Sequence, residues 1–211
     1  MFICDPERLF FPPLESATTD GVLAIGGDLR VERLLLAYQS GIFPWYEAGQ
    51  PIIWWAPDPR FVLFPDRLRI SKSMQRVVLS DRFQATWDQE FPTVIRNCRH
   101  IPRAGQSGTW ITPQMEAAYV TLHETGHAHS VEVWQEGELV GGLYGVTVGR
   151  CFCGESMFAS VSNASKFALI KLVERLNSQG IELIDSQVPN DHMIRMGAEL
   201  IPRAEYVTYL G

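Results

Sequence analysis

Two carboxylates sit where a folded chain seldom puts them. Glu155 interrupts the apolar, sulfur- and aromatic-rich run RCFCGESMF (150–158). Asp185 interrupts IELIDSQV, with the amide Gln187 two residues further on. Glu and Asp are depleted in strands and are seldom fully buried without a partner. Strict alternation puts Ile181, Leu183, Asp185 and Gln187 on one strand face, and gives Glu155 the same-face neighbours Cys153 and Met157. If the two strands approach, two acids and an amide converge in an apolar, aromatic surround. Desolvation and like charge then favour the protonated forms, so the group calls for a cationic ligand or a proton. The plainer alternative pairs each acid with an arginine such as Arg150 or Arg195. A register shifted by one residue would reverse the side to which Glu155 points.

A second constellation is more conspicuous and less sound. HETGH, His123 to His127, spells the H-E-x-x-H pattern of zinc proteases, with His129 as a further candidate ligand. That chemistry needs both histidines on one helix. Here Thr125-Gly126 is a helix stop and HAHSVEVW already alternates as a strand, so the expectation is a helix-to-strand corner and no metal. LAIGGDL is Gly-rich before a helix, where anions can bind. Two glycines without a lysine or a preceding strand read instead as a tight turn. Trp45, Trp54, Trp55 and Trp110 fall in loop-like segments, where an indole either stacks on a base or fills core.

These groups need a scaffold, and 211 residues suffice for one core or for a core with a small appended domain. The composition is that of a globular chain, 46% hydrophobic and 20% charged. No apolar run reaches the roughly 18 residues of a membrane span, and MFICDPERLF lacks the pattern of a signal peptide. Cys4, Cys98, Cys151 and Cys153 form no CxxC pair and read as reduced thiols, so a cytoplasmic protein is expected. The net charge of -6 argues against a nucleic-acid partner, but its distribution qualifies that. Between Arg60 and Arg103 nine Lys/Arg face four acids, a balance of +5 that leaves -11 elsewhere. Such a window can be a phosphate-binding face or merely solvated helices.

The pattern along the chain is α+β. Residues 1–60, rich in Pro, Gly and aromatics, read as a small N-terminal domain. It holds one helix, LRVERLLLAYQS, capped by Asp28 and ended by Gly41; APDPR marks the boundary with 61–211. Short helices follow at SKSMQRVVLS, capped by Ser71, at FPTVIRNC, and after Thr112-Pro113, with Met115, Ala118, Tyr119 and Leu122 on one face. The period then drops to two. HSVEVW, ELVGGLYGVTV and CFCGESMF make successive antiparallel strands. A helix over ASKFALIKLVERLNSQ, a strand IELIDSQV, a short helix ending at Gly197 and a last strand EYVTYL complete the sheet.

Taken in order, LAIGGDL, LLAYQSGIFPWY, IIWWAPDPR, GTWIT, LHETGHAHSVEVW, ELVGGLYGV, FCGESMF, NASKFAL and LIDSQVPNDH resemble the leucyl/phenylalanyl-tRNA–protein transferases from about residue 20 to 209. The resemblance implies a catalytic domain similar to the GCN5-related acetyltransferase (GNAT) fold, with a mixed, mostly antiparallel sheet and packed helices. It implies transfer of Leu or Phe, with Met a further donor, from aminoacyl-tRNA to the α-amine of proteins beginning with Arg or Lys, which marks them for N-end rule degradation. Trp45 and Trp110 match the pair that sandwiches the terminal adenine. Leu143, Phe152, Met157 and Phe167 match or neighbour the aminoacyl side-chain pocket, and Glu155, Asp185 and Gln187 match the catalytic and acceptor-binding set. Lys72 and Arg76 are the residues chosen for acceptor-stem contact. A monomer without cofactor or membrane partner is expected. Coenzyme A is not, because ASVSNASKFAL stands where acetyltransferases carry a Gly-rich pyrophosphate loop. The rival readings are an acyl-CoA-dependent acetyltransferase and a non-catalytic RNA- or N-degron-binding module.

Overall fold

The structure, a computed structural model, describes residues 2–101 and 110–211. Short strands β1 (Phe2–Cys4), β2 (Val22–Gly26), β3 (Phe43–Pro44) and β4 (Ile53–Trp55) form one sheet in the order β1-β2-β4-β3. Helix α1 (Val31–Gln39) lies between β2 and β3 in the chain. A seven-stranded sheet takes the rest: β5 (Arg60–Leu63), β6 (Gln84–Trp87), β7 (Ala128–Gln135), β8 (Glu138–Val148), β9 (Cys151–Ala159), β10 (Leu183–Asp185) and β11 (Glu199–Ile201), in the order β11-β5-β10-β9-β8-β7-β6. Every neighbouring pair in it is antiparallel except β9–β10. Helices α2 (Lys72–Val78), α3 (Phe91–His100), α4 (Pro113–Glu124), α5 (Ala164–Ser178), α6 (Asp191–Met196) and α7 (Arg203–Tyr206) complete the α+β fold.

Local chemistry explains most element ends. Ser71, Thr112 and Asn190 each accept the backbone N–H of the third residue on, capping α2, α4 and α6. The β7–β8 hairpin turns on Glu136-Gly137, both at positive φ, the geometry that suits a tight two-residue connection. Asp28 does not cap α1 directly. It accepts Arg30 N–H and faces the guanidinium of Arg33, which is fully buried and donates to the carbonyls of Asp5, Pro6 and Arg8. A Cβ on Gly27 would lie 3.2 Å from that guanidinium, so the Gly pair serves this close approach, and a strand, β2, does precede it.

Two sequence expectations change. IELIDSQV is a strand only over Leu183–Asp185, because Gln187 takes φ 58 and its N–H bonds Asp185 Oδ1 at 2.9 Å, a turn that ends the ladder. EYVTYL is not a strand: Pro202 opens the helical turn α7, a 3-10 turn over Val207–Tyr209 follows, and the last strand is β11, just before them. APDPR leads directly into β5, which begins at Arg60 and is paired on both sides by β10 and β11.

Apolar side chains cover both faces of the large sheet. On one face Leu34, Tyr38, Ile42 and Trp54 join Tyr119, Val146 and Cys153 in a continuous core. On the other, Phe152, Leu143 and Val131 pack with Phe167, Ile170 and Val173 of α5. All four cysteines are buried free thiols.

Candidate active site

The site begins with a slip in register. β8 and β9 pair Tyr144 with Ser156 and then Gly145 with Gly154, which leaves Glu155 opposite no residue. This is a β-bulge, a feature that re-aims a side chain and often lies beside an active site. It also inverts the alternation. Cys153 packs into one core and Met157 against the other, so the expectation that they flank Glu155 on a common face fails for this reason. The small residues opposite are required: a Cβ on Gly145 would stand 2.3 Å from the Cys153 carbonyl. On the other side of β9, the parallel pairing with β10 stops at Asp185↔Cys153. The two strands part there, and a cavity of about 570 Å³ occupies the gap.

Glu155 and Gln187 both line this cavity. Gln187 Nε2 donates to Glu155 Oε1 at 3.3 Å, and Tyr119 Oη donates to Glu155 Oε2 at 3.1 Å. Tyr119 Oη in turn contacts Tyr38 Oη in a short hydrogen bond. Burial pushes the Glu155 carboxyl up to about 7, while the hydroxyls of Tyr38 and Tyr119 pull it down. A carboxyl in that range is poised to exchange a proton near neutrality.

Asp185 is placed differently. It is fully buried and does not line the cavity. Arg60 grips it in two parallel bonds, Nε to Oδ1 at 2.8 Å and Nη2 to Oδ2 at 2.7 Å. Gln187 N–H fills Oδ1 and Tyr206 Oη donates to Oδ2 at 3.0 Å, so all four acceptor directions are used. Arg60 also donates to Gly41 O, and its guanidinium lies over the rings of Phe43 and Tyr206. Burial opposes its charge, yet Asp185 beside it raises its pKa. The expected convergence of two acids on one ligand is thus corrected to one acid in the cavity and one behind it. The arginine is Arg60; Arg150 bonds Glu182 instead.

Trp45 and Trp110 both border the cavity, and Trp45 is 37% exposed. Its backbone is pinned by Trp45 N–H to Ile53 O and by Trp55 Nε1 to Trp45 O at 2.7 Å. Leu143, Phe152 and Met157 line the apolar wall. Phe167 does not. It is buried one layer away, its ring 5.4 Å from that of Phe83. Leu169 and Leu172, on the same helix at three-residue spacing, take the wall position instead. Lys72 and Arg76 are exposed on α2 and do not border the cavity.

The basic window is less basic than its composition suggests. Arg60, Arg67, Arg96 and Arg99 pair with Asp185, Glu199 and Glu116, all acids outside the window. Arg103 lies outside the described residues. The HETGH segment forms a corner: α4 ends at Glu124 and Gly126 turns the chain at φ 82. His123 Nδ1 bonds Ala128 O and its ring stacks on Phe91 at 4.3 Å, while His129 Nδ1 bonds Asp88 at 2.9 Å.

Sequence reasoning missed Arg60, Tyr38 and Tyr206. Helical spacing did place Tyr119 on the inward face of α4, but nothing in that spacing says where its hydroxyl points.

Comparison with known proteins follows the same chain. The family model "Leucyl/phenylalanyl-tRNA protein transferase" matches residues 62–211, and the model of that family's N-terminal domain matches 27–58. The proteins named leucyl/phenylalanyl-tRNA–protein transferase from Azotobacter vinelandii and Flavobacterium johnsoniae are 54% and 55% identical to it, each over 97% of this chain and over 91% and 96% of their own. The chain belongs to this family. A relative of the same name from Christiangramia forsetii is 50% identical over the full length of both chains. Among solved structures, FemX shares the fold at a TM-score of 0.51 with 11% identity, over 82% of this family member and 66% of FemX. A GCN5-related N-acetyltransferase from Kribbella flavida aligns at 0.42 with 10% identity, over 80% of this chain and 59% of that one. Among the described residues, no helix is long and apolar enough to cross a membrane.

Proposed function

We propose that this chain transfers Leu or Phe from aminoacyl-tRNA to the N-terminal α-amine of proteins beginning with Arg or Lys, in the cytoplasm, as a monomer. The observation that carries the reading is a lone carboxyl, Glu155, at the junction of an apolar wall and two tryptophans in one cavity. Family membership supports this reaction. The aminoacyl side chain occupies the wall of Leu143, Phe152 and Met157, and the terminal adenine stacks on Trp45 and Trp110. Lys72 and Arg76 contact the acceptor stem from α2. Residues 1–60 form the smaller unit, which contributes Trp45, and 61–211 the catalytic one.

The reaction is aminolysis of an ester already activated on the tRNA, so its chemistry calls for neither ATP nor a metal. The amine nitrogen attacks the carbonyl carbon, the C–N bond forms, and the bond to the ribose oxygen breaks. An N-terminal amine has a pKa near 8, so deprotonating it at neutral pH costs about 1–2 kcal/mol. Holding it against the carbonyl supplies much of the remaining acceleration. Glu155 attracts the cationic acceptor and receives its proton, which then passes to the departing ribose oxygen. Gln187 orients that carboxylate, and Asp185, saturated by Arg60, fixes Gln187. Incubation with labelled Leu-tRNA and an Arg-initiated peptide tests this. Binding of both substrates without transfer would refute it.

A further inference from the structure

The aminolysis reading leaves two buried hydroxyls unexplained. Tyr38 on α1 and Tyr119 on α4 are 1% and 0% exposed, yet they point their phenols at each other and at Glu155. A core needs no such pair, since Phe would fill both positions with one fewer polar atom to satisfy. We propose that Tyr119 and Tyr38 are positioning residues of the reaction, a two-phenol hydrogen-bond chain that holds the Glu155 carboxylate toward the cavity as acceptor of the attacking amine's proton.

The direction of the bonds follows from the carboxylate. Ionised, Glu155 can only accept, so Tyr119 gives it its proton and must itself accept from Tyr38. When Glu155 takes a proton on Oε2, the chain reverses: Glu155 donates to Tyr119, and Tyr119 to Tyr38. The Glu155–Tyr119 and Tyr119–Tyr38 contacts are kept in both states with the heavy atoms in place, which is preorganisation for the transfer. The phenols do not compete for the proton as bases. Burial first, and then the nearby Glu155 charge, hold both far above the usual tyrosine range, so they remain neutral donors. The other ionisable groups acting on Glu155 are Asp185 from β10, which disfavours its charge, and Arg60 from β5, which favours it. Tyr144 on β8 and His192 on α6 also line the cavity. Because α1 lies in the N-terminal portion, the chain ties that portion to the proton acceptor in the large sheet.

This proposal rests on the aminolysis reading, and the test separates the two. Wild type, Tyr119→Phe, Tyr38→Phe and the double variant are assayed with Leu-tRNA and an Arg-initiated peptide from about pH 6 to 9. In parallel, the Glu155 carboxyl is titrated by NMR in protein carrying 13C-labelled glutamate, its signal assigned with Glu155→Gln. The substrate amine's own titration is common to all variants and cancels. In Tyr119→Phe the acid limb of kcat/KM and the NMR midpoint both move up by about one pH unit, the scale of a lost hydrogen bond to a charged group. Transfer at pH 7 falls about fivefold, nearer tenfold at pH 6, and recovers toward wild type above the shifted limb. Tyr38→Phe moves both in the same direction, since the Tyr38 hydroxyl also pulls the Glu155 carboxyl down, and the double variant moves them at least as far as either single one. Equal loss at every pH with unshifted midpoints would overturn the proposal and leave the tyrosines as packing. If wild type shows no transfer, the aminolysis reading falls, and the NMR midpoints still decide whether the phenols hold the carboxyl. Should Tyr119→Phe not fold, Tyr38→Phe carries the same test.

Discussion

Asp185→Asn separates anchor from base. The side chains of Asp185 and Arg60 are both 0% exposed, and the pair is joined by two direct bonds. Asn keeps the volume and removes the charge, so the guanidinium is left buried with its positive charge uncompensated. Breaking one side of a buried pair costs about 3–5 kcal/mol. For a chain of this length each kcal/mol shifts the melting temperature by about 2–4 °C, so a fall of roughly 10 °C is expected. Arg60 also donates to Gly41 O, which softens the loss slightly. Replacing both residues with Arg60→Met and Asp185→Leu removes the stranded charge and should recover most of that stability. Thermal unfolding followed by circular dichroism reads both effects, with transfer measured on the same preparations. Asp185→Asn should keep measurable transfer wherever it is folded, with KM changed more than the pH profile. An unchanged melting temperature together with abolished transfer would refute the anchor and give Asp185 a direct part in the chemistry.

Glu155→Gln should lower transfer by about 100-fold or more, the usual share of a general base. Its stability should respond in the opposite sense. The folded carboxyl is raised to about 7, so the native state holds this proton at pH values where the unfolded chain has lost it. Its contribution is present below the unfolded value and is lost as pH rises through about 7, on the order of 3 kcal/mol. Chemical denaturation should therefore find Glu155→Gln as stable as wild type or more so at pH 8. Trp45→Ala removes a side chain already partly exposed, so it should change stability little while raising KM for aminoacyl-tRNA about 10-fold or more, the scale of one lost base stack. Met157→Ala should alter the Leu-to-Phe preference measured by competition between the two charged tRNAs, whereas Phe167→Leu, one layer away, should lower the melting temperature and leave the preference unchanged.

The sequence carried the central hairpins and the helices almost intact, because their signals are local. Thr112-Pro113 and Ser71 cap where they stand, and the 3.6-to-2 change of period at His127 marks the start of β7. Signals that depend on distant partners did not survive reading. β5 looked like the end of a Pro-rich boundary because its strand character comes from β10 and β11, over a hundred residues away. Alternation failed at Glu155 and again at Gln187 for one shared reason. A bulge and a left-handed residue each break the period of two, and both stand at the cavity. The candidate residues were legible by type; which acid faces the ligand was not.

Arg60 bears on how the molecule is made as well as on how it is held. Its partners Asp185 and Tyr206 lie 125 and 146 residues downstream. Contacts of such separation form late, since the intervening loop must close before any of them is gained. A nascent chain therefore carries this guanidinium, the Gly41 carbonyl and an unpaired β5 through most of synthesis, and Gln187 gains its support only once Tyr206 has emerged from the ribosome. The grip on Asp185 is thus closed from both ends of the chain, by β5 early in the sequence and by α7 late in it.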